Sequence, residues 1–307
     1  MSEAKRVIVT GATGLIGKHL CRHLTDKGYA VVVFSRNAER ARNTLPGMAE
    51  YVNWTPEVPG DWGQALEGAY GVVHLAGAPI FGKRWDAAYK AQIHDSRITS
   101  TRILVDALEA TRTRPTVFIC GSAVGYYGDT GNNEVNESSA PGDDFLARVC
   151  VAWEQEARRA ETLGIRTVLL RTGIVLDAKE GALPQLVVPF RLFVGGPILP
   201  GTQWFPWIHI DDEVGLILLA LEDARVSGPL NATAPAPQTN YDFARTLGKV
   251  VGTPSWLPVP GFSLKLLLGE LADRLVEGQR AIPQKAHELG YSFQYPTSEQ
   301  ALRDLIT

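Results

Sequence analysis

Thr10-Gly11-Ala12-Thr13-Gly14-Leu15-Ile16-Gly17 places three glycines at a spacing that lets backbone wrap an anion. The segment follows the apolar run Arg6–Thr10 and opens a stretch in which Leu15, Ile16, His19, Leu20, His23 and Leu24 recur at helical spacing. A glycine turn between strand and helix aims free N–H groups at phosphate: Gly11 for the tight turn, Gly14 for close backbone approach, Gly17 for helix packing. Gly11, Thr13, Gly14, Leu15, Ile16 and Gly17 therefore form the candidate cradle for a dinucleotide pyrophosphate.

The next strand reports which dinucleotide. A free ribose 2′-hydroxyl is read by an Asp or Glu at the end of that strand. Here the strand ends Phe34-Ser35-Arg36, with Arg40 and Arg42 beyond and no acid in place. A guanidinium makes paired, charge-assisted bonds to a 2′-phosphate, and Ser35 supplies a further donor. Ser35 and Arg36 thus favour NADP(H) over NAD(H). Leu75-Ala76-Gly77 closes another strand with small residues, against which adenosine and ribose can lie. His74 reads as packed core. His19 and His23 share a helix face but have no third ligand nearby, so no metal site is expected.

The elements that must hold these residues alternate. Strands are predicted at 6–10, 30–35, 71–76, 116–120 and 166–171, and helices at about 15–27, 85–110 and 144–163. Short apolar runs between helical patterns describe strands covered on both faces, hence an α/β, Rossmann-like, doubly wound parallel sheet. After about residue 172 the rhythm changes. Gly and Pro crowd 181–206 and 228–237, which read as loops and short elements. Helical patterns return at 211–223, 239–250, 262–276 and 298–306. The expected division is a dinucleotide-binding domain over 1–175 and a smaller, mostly helical substrate-side lobe over 176–307, some of whose segments return to the first domain.

Composition narrows the function classes. The 307 residues are 45% hydrophobic and 21% charged, with net charge -3, which gives no basis for a nucleic-acid or bilayer surface. No apolar run of about 20 residues is present to span a membrane. Cys21, Cys120 and Cys150 form neither a CxxC pair nor a disulfide framework, which favours reduced thiols and a cytoplasmic setting.

Taken together the motifs resemble the extended short-chain dehydrogenase/reductase superfamily, in its atypical epimerase-like branch with a small C-terminal module. They are TGATGLIG at 10–17, SR at 35–36, HLAG at 74–77, DSRITSTRIL at 95–104, GSAVGYYGD at 121–129, WE at 153–154, RTGIVL at 171–176, GG at 195–196 and WIHIDDEV at 207–214. GE at 269–270 and GQRAIPQKAHELGYSFQYP at 278–296 resemble the module. The resemblance implies that Gln92 and Arg97 stand near the cofactor phosphates. A buried Arg requires an anion, although Arg97 could equally tie helix to strand through carbonyls. The loop after Arg171 passes, in relatives, beside the nicotinamide end.

The chemistry departs from that family. Ordinary members carry Tyr-x-x-x-Lys on the helix after the fifth strand, one turn apart on one face, with a Ser or Thr at the strand end. Anchoring the helix on Glu154 puts Leu146 at the tyrosine position and Cys150 at the lysine position. Anchoring on Tyr127 puts Ala123 at the hydroxyl position, whereas anchoring on Tyr126 puts Ser122 there. Ser122 and Tyr127 remain the candidate catalytic residues. Arg148 is too basic to serve as an acid. Asp143 and Asp144 read as helix caps.

On the substrate side, Trp204-Phe205-Pro206-Trp207 is either a wall for a ring-shaped ligand or an interdomain plug. His209 and Asn231 read as structural, and Gln279, Arg280, Lys285 and His287 offer no focused phosphate clamp. The sequence thus describes an NADP(H)-dependent oxidoreductase acting on a small carbonyl or hydroxyl compound, with enzymatic activity itself left open. A non-catalytic NADP(H)-binding regulator or scaffold is the alternative, and a sugar or nucleotide-sugar epimerase is a second. The expected partner is a small-molecule substrate rather than nucleic acid or membrane, and the chain is a monomer or homodimer.

Overall fold

The computed structural model describes residues 4–80, 83–259, 270 and 276–307. The first half runs β1 (Arg6–Thr10), α1 (Leu15–Asp26), β2 (Ala30–Ser35), α2 (Ala38–Thr44), β3 (Glu50–Asn53), β4 (Gly71–His74), α3 (Ala87–Glu109), β5 (Val117–Ala123), β6 (Glu134–Val135), α4 (Phe145–Arg158) and β7 (Arg166–Thr172). Then come β8 (Ile174–Leu176), α5 (Ala182–Arg191), β9 (Trp207–His209), α6 (Ile210–Glu222), β10 (Gly228–Ala232), α7 (Asn240–Val251), β11 (Arg280–Ala281), α8 (Gln284–Glu288) and α9 (Ser298–Ile306).

Seven strands form one parallel sheet in the order β10-β7-β5-β4-β1-β2-β3. Side chains alternate between faces along each strand, and here both faces are apolar. Val7, Val9, Val31 and Val33 pack with Leu20 and Leu24 of α1 and Ile217 of α6. Ile8, Val32, Phe34 and Phe118 pack on the other face with Leu104 and Leu108 of α3 and Trp153 of α4. Connections leave in opposite directions from β1 and β4, so a crevice opens between them at the carboxyl ends of the strands.

A third core, including Leu183, Phe190, Phe243 and Leu302, joins α5, α7 and α9. The β8–β9 pair and the short β11–β6 pair tie this lobe to the sheet. Asp86, Asp144 and Thr239 each accept a backbone N–H at the start of α3, α4 and α7, as caps.

Two Gly/Pro-rich stretches differ from their sequence reading. Residues 228–232 form β10, a strand at the sheet edge, where Pro229 need not donate to a further neighbour. Residues 182–191 form α5 despite Pro189, because Leu183, Val187 and Phe190 bury one helix face. The helix read at 262–276 lies almost wholly outside the described residues.

Candidate functional site

The glycine turn adopts the geometry its spacing demands. Gly11 has φ +67°, and a Cβ there would stand 2.8 Å from the carbonyl carbon and oxygen of Leu75. Gly17 packs still closer, its would-be Cβ 2.3 Å from the Gly11 oxygen. Gly14 instead caps α1 in an extended conformation, is exposed, and donates its N–H to the Gly11 carbonyl at 2.9 Å. Gly11 and Gly17 therefore shape the turn, and Gly14 presents bare backbone to the crevice.

Behind that turn lies a polar chain. The Ala76 N–H donates to Thr10 Oγ1 at 3.3 Å, and Thr10 Oγ1 meets His74 Nδ1 at 2.7 Å. His74 Nε2 faces Thr101 Oγ1 at 3.1 Å, which also accepts from Trp153 Nε1. Thr101 gives its own hydrogen to the Arg97 carbonyl. His74 Nε2 is therefore the donor and Nδ1 the acceptor. Burial drives the His74 pKa down to about 3, so the ring is neutral and its tautomer fixed.

The crevice has a volume of about 660 Å³. Gly11, Thr13, Gly14, Ser35, Arg36, Leu75, Ala76, Gly77 and Gln92 all line it, joined by Trp54, Glu57 and Asp95. Leu15 and Ile16 stand apart, packed against the α1/α6 core. Ser35 holds a local turn with Asn37. Arg36 is exposed and has no acidic partner among the described residues, although Glu57 shares the crevice. Arg42 lies over the Tyr51 ring instead.

Arg97 supports the wall from behind. Its guanidinium donates to the carbonyls of Ile93 and Ala78 at 3.1 and 2.9 Å and sits where a Cβ on Gly77 would crowd it. Burial lowers its pKa, and it has no carboxylate partner among the described residues. It ties α3 to the crevice wall while keeping its positive charge uncompensated.

Ser122 and Tyr127 belong to a different environment, being only 5% and 4% exposed. Ser122 Oγ donates to Glu154 Oε1 at 2.8 Å. Arg171 grips the same carboxylate through Nε and Nη2 at 2.8 and 2.9 Å, and donates through Nη1 to Tyr127 Oη at 3.0 Å. Tyr127 donates onward to Asn231 Oδ1 at 2.7 Å. Burial pushes the Tyr127 hydroxyl up to about 12, against the opposing charge of Arg171. Burial alone would lower the Arg171 pKa, but the Glu154 hydrogen bonds and charge outweigh it and raise it. The network clamps the ends of β5, β7 and β10, with neither residue on the crevice lining.

The positions matching the family proton machinery are equally plain. Ala123 is half-buried at the end of β5. Leu146 packs with Trp85, Tyr89 and Ile93. The Cys150 thiol is buried and raised to about 12 by desolvation. Thr172 and Glu213 were not singled out from the sequence, yet Thr172 Oγ1 donates to the buried Glu213 Oε1 at 2.8 Å. The available signal was an acid on the apolar face formed by Ile210, Val214 and Ile217.

The remaining candidates build the lobe. His209 stacks on Tyr295 with ring centroids 3.7 Å apart. Phe205 packs on Phe243, and Trp207 is fully buried, so both plug the lobe core. Trp204 lies under Arg280. Gln279 and Lys285 donate to backbone carbonyls. His19 faces Asp177, and no group of three metal-ligating side chains occurs among the described residues. No described helix is long and apolar enough to cross a membrane.

Comparison with known proteins agrees with this architecture. Residues 7–232 match the model of the NAD dependent epimerase/dehydratase family, and 259–305 match a domain of unknown function. The chain is 41% identical over 301 residues to epimerase family protein YfhF of Bacillus subtilis, covering 98% of this chain and 97% of that one. It is 40% identical to the chloroplastic SDR39U1 homologue of Arabidopsis thaliana, covering 98% and 86%. The crystal structure of human epimerase family protein SDR39U1 with NADPH superposes with TM-score 0.86 at 33% identity, covering 98% of each chain. With its glycine turn, seven-stranded parallel sheet and C-terminal lobe, the chain belongs to the NAD dependent epimerase/dehydratase family.

Proposed function

We propose that this protein binds NADP(H) in the crevice and uses it in redox chemistry on a small carbonyl or hydroxyl compound, without the Tyr–Lys proton transfer of its family. The observation that carries this reading is Arg36, exposed on the crevice wall after β2 without an acidic partner among the described residues. A 2′-phosphate supplies that partner. The cradle fits the rest of the cofactor: exposed Gly14, with no side chain, lets a pyrophosphate come close to the backbone, and uncompensated Arg97 adds positive charge behind the wall. The human relative crystallised with NADPH supports the same choice. When bound, the nicotinamide exchanges a hydride with a substrate carbon. The protein's tasks are to hold both partners in line, exclude water and manage one proton.

A binding role without turnover is the second reading. It is favoured by Ala123 and Leu146, whose side chains carry no exchangeable proton, and by Cys150, whose buried thiol is raised to about 12. Three free, buried thiols support a reducing compartment such as the cytoplasm for either activity.

Fluorescence titration tests the cofactor choice. NADPH is expected to bind at least about tenfold more tightly than NADH, and Arg36→Glu to remove the preference. Equal affinities, unmoved by that substitution, overturn it. Oxidation of NADPH against a carbonyl panel separates the redox reading from the binding one.

A further inference from the structure

The hydroxyls at the ends of β5 and β7 differ in what stands behind them. Ser122 faces Glu154, both of whose oxygens already accept from Arg171. Thr172 is half-buried and pairs in register with Ala123 of β5. Paired residues of parallel neighbours lie about 4.8 Å apart and face the same side. The Thr172 hydroxyl therefore stands one strand from Ala123, the hydroxyl position given by anchoring on Tyr127. Behind it, Glu213 is wholly buried, bonded through Oε1 to Thr172, with Oε2 unpartnered among the described residues. Burying an acid with one hydrogen bond destabilises a fold, and acids held this way cluster at functional sites.

We propose that Thr172 and Glu213 form a proton relay at the strand ends beyond the Gly11–Thr99 lining of the crevice, Thr172 touching the substrate oxygen and Glu213 as the positioning acid behind it. The inference rests on the cofactor reading above. An adenosine half lying against β1, β2 and β4 leaves the other half to run along the same strand ends toward β5 and β7. In reduction, the substrate carbon receives a hydride, with its electron pair, from a dihydronicotinamide, while the oxygen takes the Thr172 hydroxyl proton. For this the pair reverses its bond, Glu213 donating to the Thr172 oxygen while Thr172 donates to the substrate. The acid proton replaces the one lost, and after product leaves a solvent proton returns to the buried carboxylate through half-buried Thr172. Oxidation runs the same transfers backwards.

Burial pushes the Glu213 carboxyl up to about 8, which suits this exchange near neutral pH. The charged groups around it are otherwise engaged or exposed. On α6, Asp212 accepts from Tyr291 and two backbone amides, while Asp211 and Glu222 stand outside the core. On α1, Lys18 pairs with Glu180 and His19 with Asp177, and Arg22, His23 and Asp26 are exposed. On β7, Arg166 binds carbonyls and Arg171 binds Glu154. Buried Cys120 on β5 has its pKa raised, and His209 on β9 faces Asp304. Strands β8 and β10 bring no charged side chain. Tyr291 has its pKa raised by burial, with the Asp212 and Glu213 charges adding to it. A positive nicotinamide ring arriving by Thr172 would thus favour the Glu213 carboxylate, and a neutral reduced ring would not.

The test titrates the full-length protein calorimetrically with NADP+ and with NADPH, in buffers of different ionisation heat, just below the Glu213 midpoint of about 8. NADP+ is expected to release more protons than NADPH, and Glu213→Gln to erase the difference. Carbonyl-dependent NADPH oxidation is expected to fall about 100-fold or more in Glu213→Gln and Thr172→Val, and to return in Thr172→Ser. Equal proton release for both cofactor forms, release unchanged in Glu213→Gln, or turnover that survives both substitutions overturns the relay. So does tight NADPH binding with no turnover on any carbonyl. Failure of either form to bind overturns the cofactor reading itself, and the relay falls with it.

Discussion

Thr10 Oγ1 and His74 Nδ1 meet at 2.7 Å where β1 and β4 lie side by side, at the reversal of strand order. The same Thr10 oxygen accepts the Ala76 N–H, so one neutral imidazole orders the turn that Gly11 packs against. In the unfolded chain the imidazole protonates near its ordinary 6.5, whereas in the folded chain it resists until about 3. Its contribution is fully present above 6.5 and is lost as pH falls toward 3, at about 1.4 kcal/mol per pH unit. Across this window the stability difference between the native protein and His74→Gln in denaturant melts is expected to change with that slope, whatever other groups add to both.

Glu213 acts in the opposite direction. Its folded pKa of about 8 lies above the ordinary 4.5, so the unfolded chain ionises first as pH rises. Its contribution to stability is therefore greatest below 4.5 and declines up to 8, by about 1.4 kcal/mol per pH unit. Glu213→Gln keeps the shape without the ionisation. It is expected to be more stable than the native protein at pH 8 and near equal in acid, which urea midpoints at the two extremes will show.

At Gly17 a methyl group has nowhere to go, because the Gly11 carbonyl oxygen lies 2.3 Å from the Cβ position. Gly17→Ala is expected to push α1 away from the turn, destabilising the fold by about 1–3 kcal/mol. NADPH affinity should fall with it, since the cradle itself moves. Gly28, which has φ +84° but open space around it, serves as the control: alanine there strains backbone yet leaves cofactor affinity intact.

The Arg171–Glu154 pair is buried at both ends, with side chains 2% and 5% exposed. Removing one partner strands the other charge away from water. Glu154→Ala and Arg171→Ala are each expected to lower stability by about 3–5 kcal/mol in thermal or urea melts. Ser122→Ala removes a single bond to an already satisfied carboxylate and should lose only about 1 kcal/mol.

The crevice was legible because much of its lining falls in short motifs at successive strand ends, and the glycines among them are forced by backbone geometry. Nothing but glycine fits where Gly11 and Gly17 touch other backbone. The covered strands announced themselves through uninterrupted apolar runs such as Val7–Val9, buried on both faces. Strands β3 and β10 were missed because each lies at a sheet edge, where exposure dilutes the apolar signal and Pro229 is tolerated. The hydroxyl and acid of Thr172 and Glu213 escaped notice for another reason. Only the fold brings residues 41 positions apart within 2.8 Å, and no spacing rule reports such a meeting. Ser122 was visible as a hydroxyl at the right strand end, but its direction depended on a one-residue register that only the β5–β7 pairing fixes.

The seventh strand of the sheet, β10, is contributed by residues 228–232, after the chain has already passed through the C-terminal lobe and returned along α6. A cut near residue 175 would therefore leave β7 with a raw flank and strip the α6 cover from Val168 and Leu170. Natural variation in what this scaffold recognises must then come from changing loops in place, because the lobe cannot be exchanged as a cassette without taking part of the nucleotide-binding half with it.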